Sequence, residues 1–165
     1  MAERFNTTKL AGDKAERYAQ LALEIAAVLD GESNRVARMA SVTAMLAAAF
    51  EHFFWTGFYL VDPARPDELV IGPYQGSLGC LRIALGRGVC GKAAAARKTF
   101  IVDDVTVFED HIACDPRSAS EIVVPAIDSA GGLIGVLDVD STRLAAFDGA
   151  DREGLERIVR QTFAD

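Results

Sequence analysis

The apolar residues of the first fifty positions recur every three or four residues, and from Trp55 onward they crowd into short runs of aromatic and β-branched residues. A chain that changes period in this way has to bury helical stripes against a sheet, since neither face is stable exposed to water. From Lys14 to Leu29, the residues Tyr18, Leu21, Leu23, Ile25, Ala26 and Leu29 predict an amphipathic helix closed by Gly31. A second, alanine-rich helix is expected from Asn34 to Phe50, apolar at Val36, Met39, Ala40, Thr43, Met45, Leu46 and Ala47. Its small side chains suit close approach to a sheet.

WTGFYLV (Trp55 to Val61) and LVIG (Leu69 to Gly72), separated by Pro63, Pro66 and Asp67, read as a hairpin. LRIALG (Leu81 to Gly86) is a further strand candidate. GVCGKAAAARK (Gly88 to Lys98) reads as a short helix after a glycine-bracketed turn, and FIVDDV (Phe100 to Val105) as a strand or extended edge. Thr106 to Ser120 has little apolar period and reads as a loop; long irregular connections inside a domain are usually functional or disordered. EIVVPAID (Glu121 to Asp128) and LIGVLDVDS (Leu133 to Ser141) make a second hairpin around Ser129, Ala130, Gly131 and Gly132. From Asp148 the chain closes as a helix carrying Leu155, Ile158, Val159 and Thr162.

The expected class is therefore α+β, with a central antiparallel sheet flanked by helices. With 165 residues, half of them hydrophobic, one domain is the default: helices over 14–50, the sheet and its loops over 53–141, and a last helix over 148–163. The net charge of −7 argues against nucleic acid as a partner, because phosphate-binding domains concentrate Lys and Arg. The N-terminal stretch is too polar for a secretory signal, and no apolar run reaches the roughly 18 residues that span a bilayer. A cytoplasmic protein with no membrane partner is expected.

In a reducing compartment, Cys80, Cys90 and Cys114 are buried small hydrophobes, metal ligands or redox-active thiols. Cys114 is the least core-like, sitting in a polar loop; Cys90 lies between Gly88 and Gly91, and Cys80 follows GPYQGSLG. No CxxC pair occurs, and His52 and His111 complete no zinc pattern, so neither metal nor cofactor is expected. His52 reads as a helix-end residue and His111 as a loop hydrogen-bonder.

Asp138 and Asp140 are two apart on a strand candidate and share one face, and Glu121 begins the neighbouring strand candidate. Two readings stand: the wet face of an antiparallel sheet, or a cluster whose members raise one another's pKa and leave one protonated near neutral pH. Trp55 and Tyr59, four apart, point to one side and read either as core or as pocket walls. GRGVCG lacks the Lys-Ser/Thr ending of a phosphate loop, but its backbone N–H groups suit a carboxylate.

WTGFYLV, GPYQG, RIALGRGVCGKA, HIACDPRSASEIVVP and IGVLDVDS together resemble the free methionine-(R)-sulfoxide reductase family, a branch of the GAF domains, over nearly the whole chain. The resemblance implies a six-stranded GAF sheet, a closed pocket for free methionine sulfoxide, and thioredoxin as reductant. It aligns Cys114 with the attacking cysteine, Cys80 with the resolving one, and Cys90 with a third family cysteine. It also places Glu121, Asp138 and Asp140 in the substrate pocket, with Trp55 and Tyr59 as walls for the methyl and thioether end. Two thiols that must bridge need Cα atoms within about 7 Å, so the Cys114 loop is expected to fold over Cys80 as a mobile lid. A carboxylate-rich site is expected to oppose thiolate formation at Cys114. The competing readings are a GAF module that binds a small molecule without turnover, and a redox sensor. A homodimer stays open.

Overall fold

The computed structural model describes residues 10–164, so much of the polar N-terminal stretch lies outside the described residues. Helix α1 (Lys14–Leu29) starts where Asp13 and Glu16 cap each other's backbone N–H groups in a capping box. Tyr18, Leu21, Ala22, Ile25 and Leu29 form its buried stripe. Asn34 caps α2 (Arg35–Ala49) by accepting from the N–H groups of Val36 and Ala37. No helix among the described residues is long and apolar enough to cross a membrane.

Six strands follow: β1 (Trp55–Asp62), β2 (Arg65–Gln75), β3 (Arg82–Ala84), β4 (Phe100–Val102), β5 (Ser120–Ile127) and β6 (Leu133–Ser141). They form one sheet in the order β3-β2-β1-β6-β5-β4, every neighbouring pair antiparallel. Helix α3 (Gly88–Ala96) lies between β3 and β4, and α4 (Gly149–Thr162) closes the chain. The α+β class is as expected.

Two elements differ from the sequence reading. β2 runs through Pro66 and Pro73 because its pairing with β1 slips at both places: Gly57 faces Tyr74 while Tyr59 faces Ile71, and Val61 faces Leu69 while Asp62 faces Arg65. A bulge tolerates a residue that donates no hydrogen bond, which is why proline did not end the strand. β4 stops at Val102, short of Val105, because the Asp104 side chain accepts from Thr106 N–H and starts a 3₁₀ turn over Val105–Val107.

The sheet separates two cores. Phe58, Ile122, Val124, Leu137 and Val139 point to one face and pack with α1, α2 and α4. There Asp151 is fully buried; it accepts from Tyr18 Oη at 2.9 Å and pairs with Lys14, tying α1 to α4. Trp55, Tyr59, Val123 and Val136 point to the other face, toward α3, with Val89, Cys90, Ala93 and Ala94. That second face carries the site.

Candidate functional site

Strand register assembles three carboxyls on the α3 side. Glu121 of β5 pairs with Asp140 of β6, and Asp140 pairs with Trp55 of β1; one step along, Val123, Asp138 and Gly57 make the parallel row. Gly57 is required beside the indole, since a Cβ there would lie 2.5 Å from Trp55 Cη2. The wet-face reading is overturned, because α3 and the loops beside it cover this part of the sheet: Glu121 and Asp138 are 5% and 6% exposed.

Burial in this setting disfavours ionisation. It pushes the Glu121 carboxyl well above the usual range, helped by the charge of Asp140. Asp138 is raised by burial and by Glu121, and Asp140 by burial and by Asp138. Asp138 Oδ1 is buried with no hydrogen-bond partner.

Cys90 projects from the first turn of α3 into the same cluster, its Sγ 3.8 Å from Glu121 Oε1. Burial, then Asp138, Glu121 and Asp140, push this thiol well up. The opposition to a thiolate that the sequence reading expects at Cys114 acts in this structure on Cys90. α3 is held close by Gly91, whose Cβ would stand 2.2 Å from the Ala84 carbonyl oxygen. No side chain caps α3 at Arg87, and Gly88 and Val89 line the cavity, so the helix brings its electropositive end to the site.

Two loops close over the carboxyls. Cys80 and Cys114 are joined by a disulfide with Cα atoms 5.2 Å apart. Beside it, Ser77 Oγ donates to Asp115 Oδ2 at 2.7 Å, and Trp55 Nε1 donates to the Ser77 carbonyl at 2.9 Å. Arg117 pairs with Asp115 and lies 4.6 Å over the Phe54 ring; its guanidinium, then the Ser77 hydroxyl, hold the Asp115 carboxyl well below the usual range. The cavity is about 30 Å³ and is lined by Trp55, Tyr59, Cys90, Cys114, Glu121, Asp138 and Asp140, with Cys80 beside it through the disulfide. Trp55 stacks between Tyr59 and Tyr74, with ring centroids 5.7 and 5.3 Å away.

Of the lining residues that escaped the sequence reading, one touches the carboxyl cluster through its ring. His111, taken there as a loop hydrogen-bonder, puts Nε2 3.7 Å from Glu121 Oε2. Burial lowers the pKa of His111 and raises that of Glu121, so both shifts disfavour the charged forms and weaken the contact as an ion pair. Its only sequence signal was membership of the loop that also carries Cys114. His52 lies just beyond α2, among Phe50, Phe53 and Phe147, away from the cavity. Among the described residues, Cys90, Glu121 and Asp138 also make a grouping able to hold a metal ion, which their sequence spacing concealed.

Residues 38–162 match the GAF domain family. The chain is 49% identical to "GAF domain-containing protein A" of Dictyostelium discoideum, over 97% of this chain and 98% of that one. It is 43% identical to the free methionine-R-sulfoxide reductase of Escherichia coli K12, over 90% and 88% of the two chains. Its fold superposes with a TM-score of 0.87 on the free methionine-R-sulfoxide reductase of Neisseria meningitidis, solved in complex with its substrate; identity is 49%, over 92% and 89% of the two chains.

Proposed function

The chain belongs to the free methionine-R-sulfoxide reductase family of GAF domains, and on that premise we propose that it reduces free L-methionine (R)-sulfoxide, with Cys114 attacking and Cys80 resolving. The observation that carries this reading is the Cys80–Cys114 disulfide set over buried carboxyls that hold their protons. Together they supply the two things sulfoxide reduction needs, a pair of thiols and a proton donor.

In the reduced enzyme, the Cys114 sulfur attacks the sulfoxide sulfur while a carboxyl of the cluster protonates the sulfoxide oxygen. That hydroxyl then passes to the Cys114 sulfur as the new sulfur–sulfur bond breaks, so methionine leaves with two more electrons and Cys114 becomes a sulfenic acid. Cys80 then displaces water from the sulfenic acid and forms the disulfide. A dithiol, thioredoxin in this reading, exchanges with that disulfide and restores both thiols.

The substrate's ammonium group changes the balance in the cluster. A cation among Glu121, Asp138 and Asp140 favours ionisation of its nearest neighbours, while the remaining acid keeps the proton it must deliver. Asp138 Oδ1, buried and unpartnered, is suited to receive the ammonium. The uncapped N-terminus of α3 is suited to the substrate carboxylate, and the stacked Trp55 and Tyr59 rings to the thioether end. A cavity of about 30 Å³ holds two or three waters, less than a free amino acid occupies, so the oxidised state must open for turnover. Cys90, a buried and strongly protonated thiol, is unsuited to the attack.

The test is methionine released per chain from reduced enzyme without added reductant. Cys80→Ser should release about one equivalent and then stop, and Cys114→Ser none, because a serine hydroxyl is far less nucleophilic than a thiolate. A full burst from Cys114→Ser would show that the wrong nucleophile has been named. Consumption of thioredoxin only once, with methionine sulfoxide in excess, would make the protein a sensor rather than an enzyme.

A further inference from the structure

We propose that Cys90, Glu121 and Asp138, with a water as the fourth ligand, form a binding site for a thiophilic divalent cation, Zn²⁺, that blocks the pocket against the substrate. The binding stands on geometry alone; the blockade rests on the pocket being the substrate site.

One sulfur and one oxygen from each carboxyl, all contributed by rigid elements, lie within 4.8 Å of one another. Zinc bonds of about 2.0–2.3 Å in a tetrahedron place neighbouring ligand atoms roughly 3.3–3.8 Å apart. Cys90 Sγ to Glu121 Oε1, at 3.8 Å, is already near that spacing. A modest contraction completes the cage.

A second observation points to a ligand. Asp138 is 6% exposed and lines the cavity, yet its Oδ1 has no hydrogen-bond partner. An unpaired polar atom so deeply buried is costly, and a cation relieves it. The donor set also selects the ion: a thiolate suits Zn²⁺ and Co²⁺, whereas Mg²⁺ and Ca²⁺ take oxygen ligands only. On binding, the Cys90 thiol and the protonated carboxyls give up their protons to solvent, so the dication replaces charges that burial suppresses. The cavity of about 30 Å³ accommodates an ion and a water with the disulfide closed.

The oxidised protein makes the experiment specific, because Cys90 is its one free thiol. Co²⁺ alone, titrated into oxidised protein without reductant, should produce a sulfur-to-cobalt charge-transfer absorption that saturates at one equivalent and is abolished by Zn²⁺. Cys90→Ser should lose the absorption while still unfolding in one cooperative thermal transition. Glu121→Gln and Asp138→Asn should keep the thiol but weaken binding by at least about tenfold, since even partners outside the coordination sphere are worth that much. No absorption in wild type, an absorption that survives Cys90→Ser, or unchanged affinity in both carboxyl variants overturns the site. With thioredoxin rather than a chelating small dithiol as reductant, Zn²⁺ should raise the KM for methionine sulfoxide and leave kcat unchanged. Metal binding with an unaltered KM overturns the blockade. A protein that binds cobalt as described but reduces no methionine sulfoxide overturns the proposed function and leaves the metal site standing.

Discussion

Asp138→Asn should make the fold less sensitive to rising pH. Asp138 is 6% exposed, its Oδ1 is unpaired, and burial together with the Glu121 carboxyl raises its pKa well above the usual range. A carboxyl with a folded pKa above its unfolded value binds more protons in the folded state at every pH between the two. Folding stability contributed by that group is full below the unfolded value, near 4, and is lost as pH rises toward the folded one. Inside that window one group costs about 1.4 kcal/mol per pH unit.

The variant keeps the size of the side chain and removes the proton. From about pH 5 to about pH 6 it should therefore gain on wild type by up to about 1.4 kcal/mol, the ceiling for one carboxyl. An amide left unpaired in the cluster lowers the variant equally at both pH values, so it drops out of the change. His52 and His111, both lowered by burial, act in the opposite direction: the unfolded chain binds their protons more tightly, and stability rises with pH toward about 6.5. That contribution is common to both proteins. Asp110 and Asp115, held low by Arg87 and Arg117, have given their full stabilisation above about pH 4 and add no slope. Urea unfolding of both proteins at the two pH values measures the difference. A difference constant to within about 0.3 kcal/mol, the usual additivity error, or one that shifts toward wild type, refutes a protonated Asp138.

Glu121→Gln and Asp140→Asn should each lose at least about tenfold in turnover, since a positioned acid is commonly worth 10²–10⁴; rates within a factor of two of wild type for both would detach the cluster from the chemistry. N-acetyl methionine sulfoxide amide, which lacks both charges, should be a worse substrate by roughly 2–5 kcal/mol in kcat/KM, and comparable rates on the free and blocked compounds would refute charge recognition. Gly91→Ala forces a Cβ within 2.2 Å of the Ala84 carbonyl, so α3 must shift; thermal unfolding should show roughly 1–3 kcal/mol of destabilisation, and activity should fall with it. Tyr18→Phe removes the buried donor to Asp151 at 2.9 Å and should cost about 1–3 kcal/mol with kcat unchanged, as the contact lies on the far side of the sheet.

Local chemistry made most of the fold legible in the sequence. Both N-terminal helices, both long hairpins, the short α3 and the closing helix follow from apolar period, capping residues and turn residues, each of which acts within a few positions. The errors arose where a neighbour overrode the local signal, as when the β1 pairing slipped and carried Pro66 and Pro73 inside β2. Within the site, alternation along β6 put Asp138 and Asp140 on one face, but alternation is blind to what covers that face. Only α3 and the two loops folded against it made the cluster dry, and dryness is what raises the carboxyl pKa values. The same holds for the meeting of Cys90 with Glu121, of His111 with Glu121, and of Cys80 with Cys114. Each joins residues 10 to 34 positions apart, so period and turn chemistry place the groups along the chain, while sheet register and desolvation decide which of them react together.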